Sequence, residues 1–414
     1  MKIVYLVHQF YPEFQAGTEK FVFNTAYMSQ KNGNKVKVIT YSLGDVSLFP
    51  YRSGGILYKE FHYQGVPVLA WRYEKEPGDL HYVIDPNVDL NFANEILQQE
   101  KPDLIHAGHL MRVYPFILAA RQLKIPYMLT LTDFHLICPK IILAPTPDSL
   151  CPGPDHGRNC YSFCSDLPKN FVDQRLSFST GIIQNAAAVV SPSRFLARIF
   201  EHEINNLNVI INPHGIRQSN IKFHSQLYNK GDHIRFGFIG NLTMHKGVHV
   251  LVNAFVGLNY TNASLLIFGS GDEQYKKELV EMSGDANVKF MGTFKAAELS
   301  KVFEQIDVLI TPSICYENYP FVISEAFASL VPVIASNLGG MAERIEEGNS
   351  GYLFKAGDRH ELQALVQKIV DDPTVLNKMK THIRMETFVP NIEQEAYRYR
   401  KLYQVLTRGL SKRI

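Results

Sequence analysis

The chain has 414 residues, more than one ordinary hydrophobic core accommodates, so two domains are expected. A hydrophobic share of 46% with 20% charged residues is that of a globular protein, and a formal net charge of +2 lacks the concentrated basic surface of a bulk nucleic-acid binder. No apolar run approaches the roughly 20 residues of a membrane-spanning helix, and the start MKIVYLVHQF carries no small-residue cleavage site. A first strand and a cytoplasmic location are therefore expected, and the 5 cysteines fit a reducing compartment.

In chain order, residues 2–8 form a short apolar run of strand type. After a loop at 9–17, Phe21, Val22, Thr25, Ala26 and Met28 recur near helical spacing over 18–31, and Asn32-Gly33 supplies the stop. Residues 35–40 (KVKVIT) are the next strand. Such an opening belongs to a doubly wound parallel sheet, whose ligands bind where strands end. At Gly17 the backbone can come close to a ligand. Residues 41–82 are less regular, with one strand at 66–72. A helix at 91–100, a strand at 103–106, a helix at 112–123 and a strand at 127–131 follow. His106 and His109 read as structural residues, whereas Asp133 and His135 stand just past a strand end, on the ligand side of such a sheet.

Residues 134–169 hold six prolines and four cysteines without periodicity, a length of loop that is usually functional or tied down. The spacing Cys138-x12-Cys151-x8-Cys160-x3-Cys164 is open to a tetrahedral metal site, to reduced thiols packing the loop, or to one disulfide. A helix at 170–185, a strand at 188–191, a helix at 193–201 and a strand at 209–211 lead to Asn212-Pro213-His214-Gly215, a turn that marks a domain boundary.

The second half repeats the pattern. A strand at 233–239 runs into GNLTMHKG (240–247) and a helix to about 258; a strand at 264–268 runs into Gly269-Ser270-Gly271-Asp272, with Asp272 as N-cap of the next helix. Strands at 288–291 and 308–311 flank a helix at 296–305. In TPSICYENYPFVISEAFASLVPVIASNLGG (311–340), a helix starts near Phe321, with Glu317 on the loop ahead of it and Glu325 in its first turns. The start of a helix offers unpaired N–H groups and attracts phosphate, and carboxylates beside it can receive sugar hydroxyls. Lys246 sits poorly beside a helix start unless an anion compensates. A helix at 341–346, a strand at 351–354 and helices at 359–371, 374–384 and 392–406 complete the chain. Alternation of this kind implies two parallel-sheet α/β domains.

Glu317-x7-Glu325, Lys246-Gly247 after Gly240, Gly269-Ser270-Gly271, Pro312-Ser313, and Pro332 to Ser336 with Gly339-Gly340 and Glu343 resemble the retaining glycosyltransferases of the GT-B fold, family 4. In the first half, Ala16 to Glu19, Asp103 to His106 and Asp133 to Pro139 agree with it. The resemblance implies two Rossmann-like domains (1–214 and 215–388) facing across a cleft, with a last helix (389–414) crossing back to the first. It implies sugar transfer from a nucleoside diphosphosugar with retention, needing no divalent metal, and no Asp-x-Asp is found here.

By the same resemblance Lys246 contacts the diphosphate, Glu325 the ribose and Glu317 the donor sugar. Gly17, Gly240, Asn241, Gly269, Tyr319 and Phe321 join the donor site, and Asp133 joins Glu317 and Lys246 as a catalytic candidate. Asn241 stands where many members have Arg, Thr132 where many have His, Pro320 for a frequent Gly and Ala16 for another. These departures leave open a catalytically weak binding subunit, and the fold a sugar-nucleotide epimerase, although the glutamate spacing favours a transferase. A Rossmann oxidoreductase fits poorly, because no G-x-G-x-x-G opens the first helix. The implied acceptor is a glycan or lipid-linked sugar of cell-surface polysaccharide synthesis. The basic tail at 408–413 is open to contact with the inner membrane face or to plain solvation.

Overall fold

A computed structural model of the chain describes residues 1–76, 90–146, 149–219, 221–256 and 262–408. The expected helix end near 258 and the basic tail beyond Arg408 lie outside these residues. The chain divides into two compact units, one formed by Met1–Pro145, Cys151–His214 and the residues from Ile392 on, the other centred on Gly215–Asn391.

The first unit is built on nine strands: β1 (Lys2–Val7), β2 (Lys35–Tyr41), β3 (Tyr51–Ser53), β4 (Ile56–Tyr63), β5 (Val66–Tyr73), β6 (Leu104–Ala107), β7 (Tyr127–Thr130), β8 (Ala188–Ser191) and β9 (Val209–Ile211). They lie in the order β3-β4-β5-β2-β1-β6-β7-β8-β9. From β5 to β9 the pairing is parallel, and the central strands are short apolar runs buried on both faces, as helix-covered parallel sheets require. β3, β4 and β5 pair antiparallel at one edge, so the sheet is mixed, and the described part of the region expected to hold one strand holds these three. The β4–β5 hairpin turns on Gln64 and Gly65, both at positive φ (48° and 83°), the pair of left-handed residues that a tight two-residue hairpin demands.

The helix Ile392–Arg408 lies in this unit. Its Tyr403 hydroxyl is 2.7 Å from Nδ1 of His106 and 3.2 Å from the Tyr5 hydroxyl, and its Tyr399 hydroxyl is 3.0 Å from Thr130. His106 Nε2 lies 2.7 Å from the Thr130 hydroxyl. Burial, with His214 nearby, pushes His106 down to about 3, so it is a neutral hydrogen-bonding residue of the core.

The second unit has six strands: β10 (Ile234–Ile239), β11 (Ala263–Phe268), β12 (Val288–Gly292), β13 (Val308–Thr311), β14 (Val333–Ser336) and β15 (Gly351–Phe354). Their order is β12-β11-β10-β13-β14-β15, all parallel. The chain therefore starts in the middle of the sheet, winds outward to one edge, and returns to the middle at β13. In doubly wound sheets ligands bind at the strand C-termini where the winding reverses. In this unit the reversal lies between β10 and β13; in the first unit it falls between β1 and β6.

Candidate functional site

The β10/β13 reversal puts two loops side by side. The loop after β10 carries Lys246 in a single turn at Met244–Lys246, and the loop after β13 carries Glu317. They are stitched by the Ile314 N–H, which donates to the His245 carbonyl at 3.0 Å. Gly247 makes the contact close: its φ is +67°, and a Cβ there would lie 2.0 Å from the Pro312 carbonyl oxygen.

At this junction the Lys246 ammonium donates to Glu317 Oε1 at 2.5 Å, and the Ser313 hydroxyl donates to the same oxygen at 2.9 Å. The two charged side chains are 28% and 17% exposed, so the pair is half-sheltered yet open to a ligand. Burial pushes Glu317 up, but Lys246 and Ser313 outweigh it and hold the carboxyl below its ordinary value. Burial likewise pushes Lys246 down, and Glu317 reverses this to a net rise. Both groups are charged at neutral pH.

Beyond Glu317 the chain enters the helix Phe321–Ala328 with Pro320 at the N-cap and no side-chain cap. Glu325 is buried on this helix, 7% exposed. Tyr319, also buried, lies under the guanidinium of Arg344, 4.4 Å from its ring centre, and Arg344 donates to Ser324 at 3.0 Å. Arg344 thus adds a cation to the start of this helix. Sequence reasoning missed it because only the fold brings it to Ser324, 20 positions away. Ser313 was visible only as part of the Pro312-Ser313 pair.

Gly240 and Gly269 meet where the loops after β10 and β11 pack together. A Cβ at Gly269 would sit 1.9 Å from the Gly240 carbonyl oxygen, so that Gly is required by packing between the β10 and β11 loops. Asn241 is exposed beside them. Asp272 caps the following helix by accepting the Tyr275 N–H at 2.7 Å.

Gly17 and Asp133 belong to the first unit. Gly17 is the exposed first residue of the helix Gly17–Lys31, whose buried Glu19 accepts the Ala16 N–H at 2.7 Å. Asp133 follows β7, where it accepts the His135 N–H at 2.8 Å and lies 2.6 Å from His109 Nε2. His8, just past the end of β1, has its ring 3.9 Å from that of His109.

Cys138, Cys151, Cys160 and Cys164 are buried free thiols. Burial pushes Cys138 up to about 11 and Cys160 up to about 12, which keeps these two protonated and unreactive at neutral pH. Among the described residues no group of three or more His, Cys, Asp or Glu side chains is arranged to hold a metal ion. Reduced thiols packing the loop are what the geometry contains.

Two α/β units, one on a mixed and one on an all-parallel sheet, the second with a charged pair at its reversal point, define a doubly wound class of fold. Residues 219–385 match the family described as Glycosyl transferases group 1. An uncharacterized glycosyltransferase of Methanocaldococcus jannaschii is 28% identical over 192 residues, 45% of this chain and 49% of that protein. A second from the same organism is 22% identical over 322 residues, 76% of this chain and 78% of its own length. The chain thus spans about half the length of the first of these relatives and more of the second. The structure of Anabaena HepE in complex with UDP matches with a TM-score of 0.71 at 15% identity, covering 98% of this chain and 100% of that one. Residues 219–385 of the second unit thus form a group 1 glycosyltransferase domain, and the fold of the chain is that of GT-B proteins.

Proposed function

We propose that this protein moves a sugar from a nucleoside diphosphosugar to a hydroxyl of a glycan or lipid-linked acceptor, with retention at the anomeric carbon. The observation that carries the reading is the Lys246–Glu317 pair at the reversal point of a group 1 domain. HepE, similar in fold, binds UDP.

Departure of the nucleoside diphosphate builds negative charge on phosphate oxygens. In this reading Lys246 and backbone N–H groups at the start of the Phe321 helix stabilise that charge, and preorganised donors of this kind usually supply more of an enzyme's rate enhancement than any other single effect. Glu317 keeps Lys246 charged and aimed, and with Glu325 it takes hydroxyls of the donor. As the C–O bond to phosphate breaks, its electron pair goes to the leaving group. The acceptor oxygen bonds to the anomeric carbon on the same face, and its proton passes to the departing phosphate. No strong side-chain base is then needed, which makes Thr132 acceptable where a His is common. Acceptors of cell-surface glycan assembly on the cytoplasmic membrane face suit such an enzyme. Incubating the purified chain with a panel of nucleoside diphosphosugars, with and without sugar acceptors, tests the reading. Release of nucleoside diphosphate from one donor is expected; inertness toward all of them would overturn it.

A further inference from the structure

The first unit has its own reversal point, between β1 and β6, and an ordered set of polar side chains stands there. His8 follows β1, His109 follows β6, and Asp133 and His135 follow β7. The His109 side chain is 2% exposed, with its ring between those of His8, 3.9 Å away, and His135, 4.9 Å away. Burial, with neighbouring cations, holds His8 and His135 well below the usual histidine value, so both flanking rings are neutral.

Two hydrogen bonds settle the state of His109. The Met111 N–H donates to its Nδ1 at 3.1 Å, so that nitrogen carries no proton. The ring proton is therefore on Nε2, and it is given to Asp133 Oδ2 at 2.6 Å. The other carboxylate oxygen accepts the His135 N–H at 2.8 Å. With both oxygens fixed, the carboxylate cannot swing, yet its side chain is 24% exposed and lines a cavity with His109, Thr132 and His135. An ionised carboxylate has about four acceptor sites, so sites remain for O–H donors from a ligand.

We propose that His109 is a positioning residue for Asp133, and that the aimed carboxylate receives a hydroxyl of the acceptor. The acceptor end bound here is accordingly a sugar or other polyol, since a carboxylate binds hydroxyls and repels phosphate. This rests on the transferase reading for its meaning, but the dyad and its ligand class are testable without turnover.

The experiment uses the full chain with its histidines labelled with nitrogen-15, His109→Gln providing the assignment. His109 is expected as the Nε2–H tautomer, and its resonances shift in Asp133→Asn. Titration with a panel of monosaccharides is expected to move the same resonances in wild type and not in Asp133→Asn. The Nδ1–H tautomer, or no sugar response, overturns the proposal whatever the enzyme assays give. In turnover, His109→Ala is expected to lose ~10- to 100-fold in kcat/KM for acceptor with donor KM little changed, the cost of a misplaced group. His109→Gln, which keeps an N–H donor, recovers most of it, and His109→Ala adds nothing to Asp133→Asn. Equal damage from Ala and Gln, or full additivity, overturns positioning. A chain that binds sugar at the dyad but releases no nucleoside diphosphate refutes the transferase reading alone.

Discussion

Lys246 and Glu317 stand 71 positions apart in sequence and 2.5 Å apart in the fold, joined because β10 and β13 are neighbours at the centre of one sheet. Neither residue is useful alone. An unpaired lysine at a half-buried site would shed its proton more readily, and an unpaired glutamate would keep one.

Lys246→Ala removes the cation assigned to the diphosphate. It is expected to lower kcat/KM for donor by at least ~10-fold, the scale of one lost charge-stabilising donor. Steady-state rates with the donor identified by screening check this, and near-normal transfer would remove the lysine from the mechanism.

Gly247→Ala tests the junction of the two loops. A Cβ 2.0 Å from the Pro312 carbonyl, at a φ of +67°, cannot be placed without moving backbone. The expected loss is about 1–3 kcal/mol of stability from strain, read by denaturant unfolding. An unchanged midpoint would mean that the loops do not pack as described.

Tyr403→Phe removes a hydroxyl that meets both His106 and Tyr5 in the core of the first unit. With buried partners left behind, about 1–3 kcal/mol is expected to be lost. Equilibrium unfolding measures it, and a neutral result would make the network dispensable.

Lys380 gives a pH dependence with a definite sign. Its ammonium is buried and donates to the carbonyls of His224 and Gln226 at 3.0 Å each, and burial pushes it down to about 8. Between about 8 and the ordinary lysine value of 10.5, the unfolded chain keeps a proton that the folded chain has shed. This group therefore makes stability rise with pH across that window. Lys380→Met is expected to lose that rise relative to wild type, measured as melting temperature against pH.

Much of the fold is legible along the chain. The alternation of short apolar runs with amphipathic helices marks both sheets, and the residues just past strand ends mark the two points where the winding reverses. The edge hairpin was hidden because its turn uses Gln64-Gly65, and Gln is a weak signal for a left-handed position that Asn or Asp would announce. His109 read as a structural residue for a similar reason: a lone histidine after a strand says nothing until its partners are known.

What the sequence by itself determined is the repeating strand–helix architecture, the boundary near His214, and the carriers of charge: Lys246, Glu317, Glu325 and Asp133. These follow from local periodicity, turn residues and spacing. Only the tertiary structure decided the pairings: Lys246 with Glu317, Arg344 with Tyr319, and His109 with Asp133. Strand order is set by burial of whole faces against one another, over separations that no local pattern records. The Lys246 and Glu317 of the opening relationship were each readable as candidates, but their union was not.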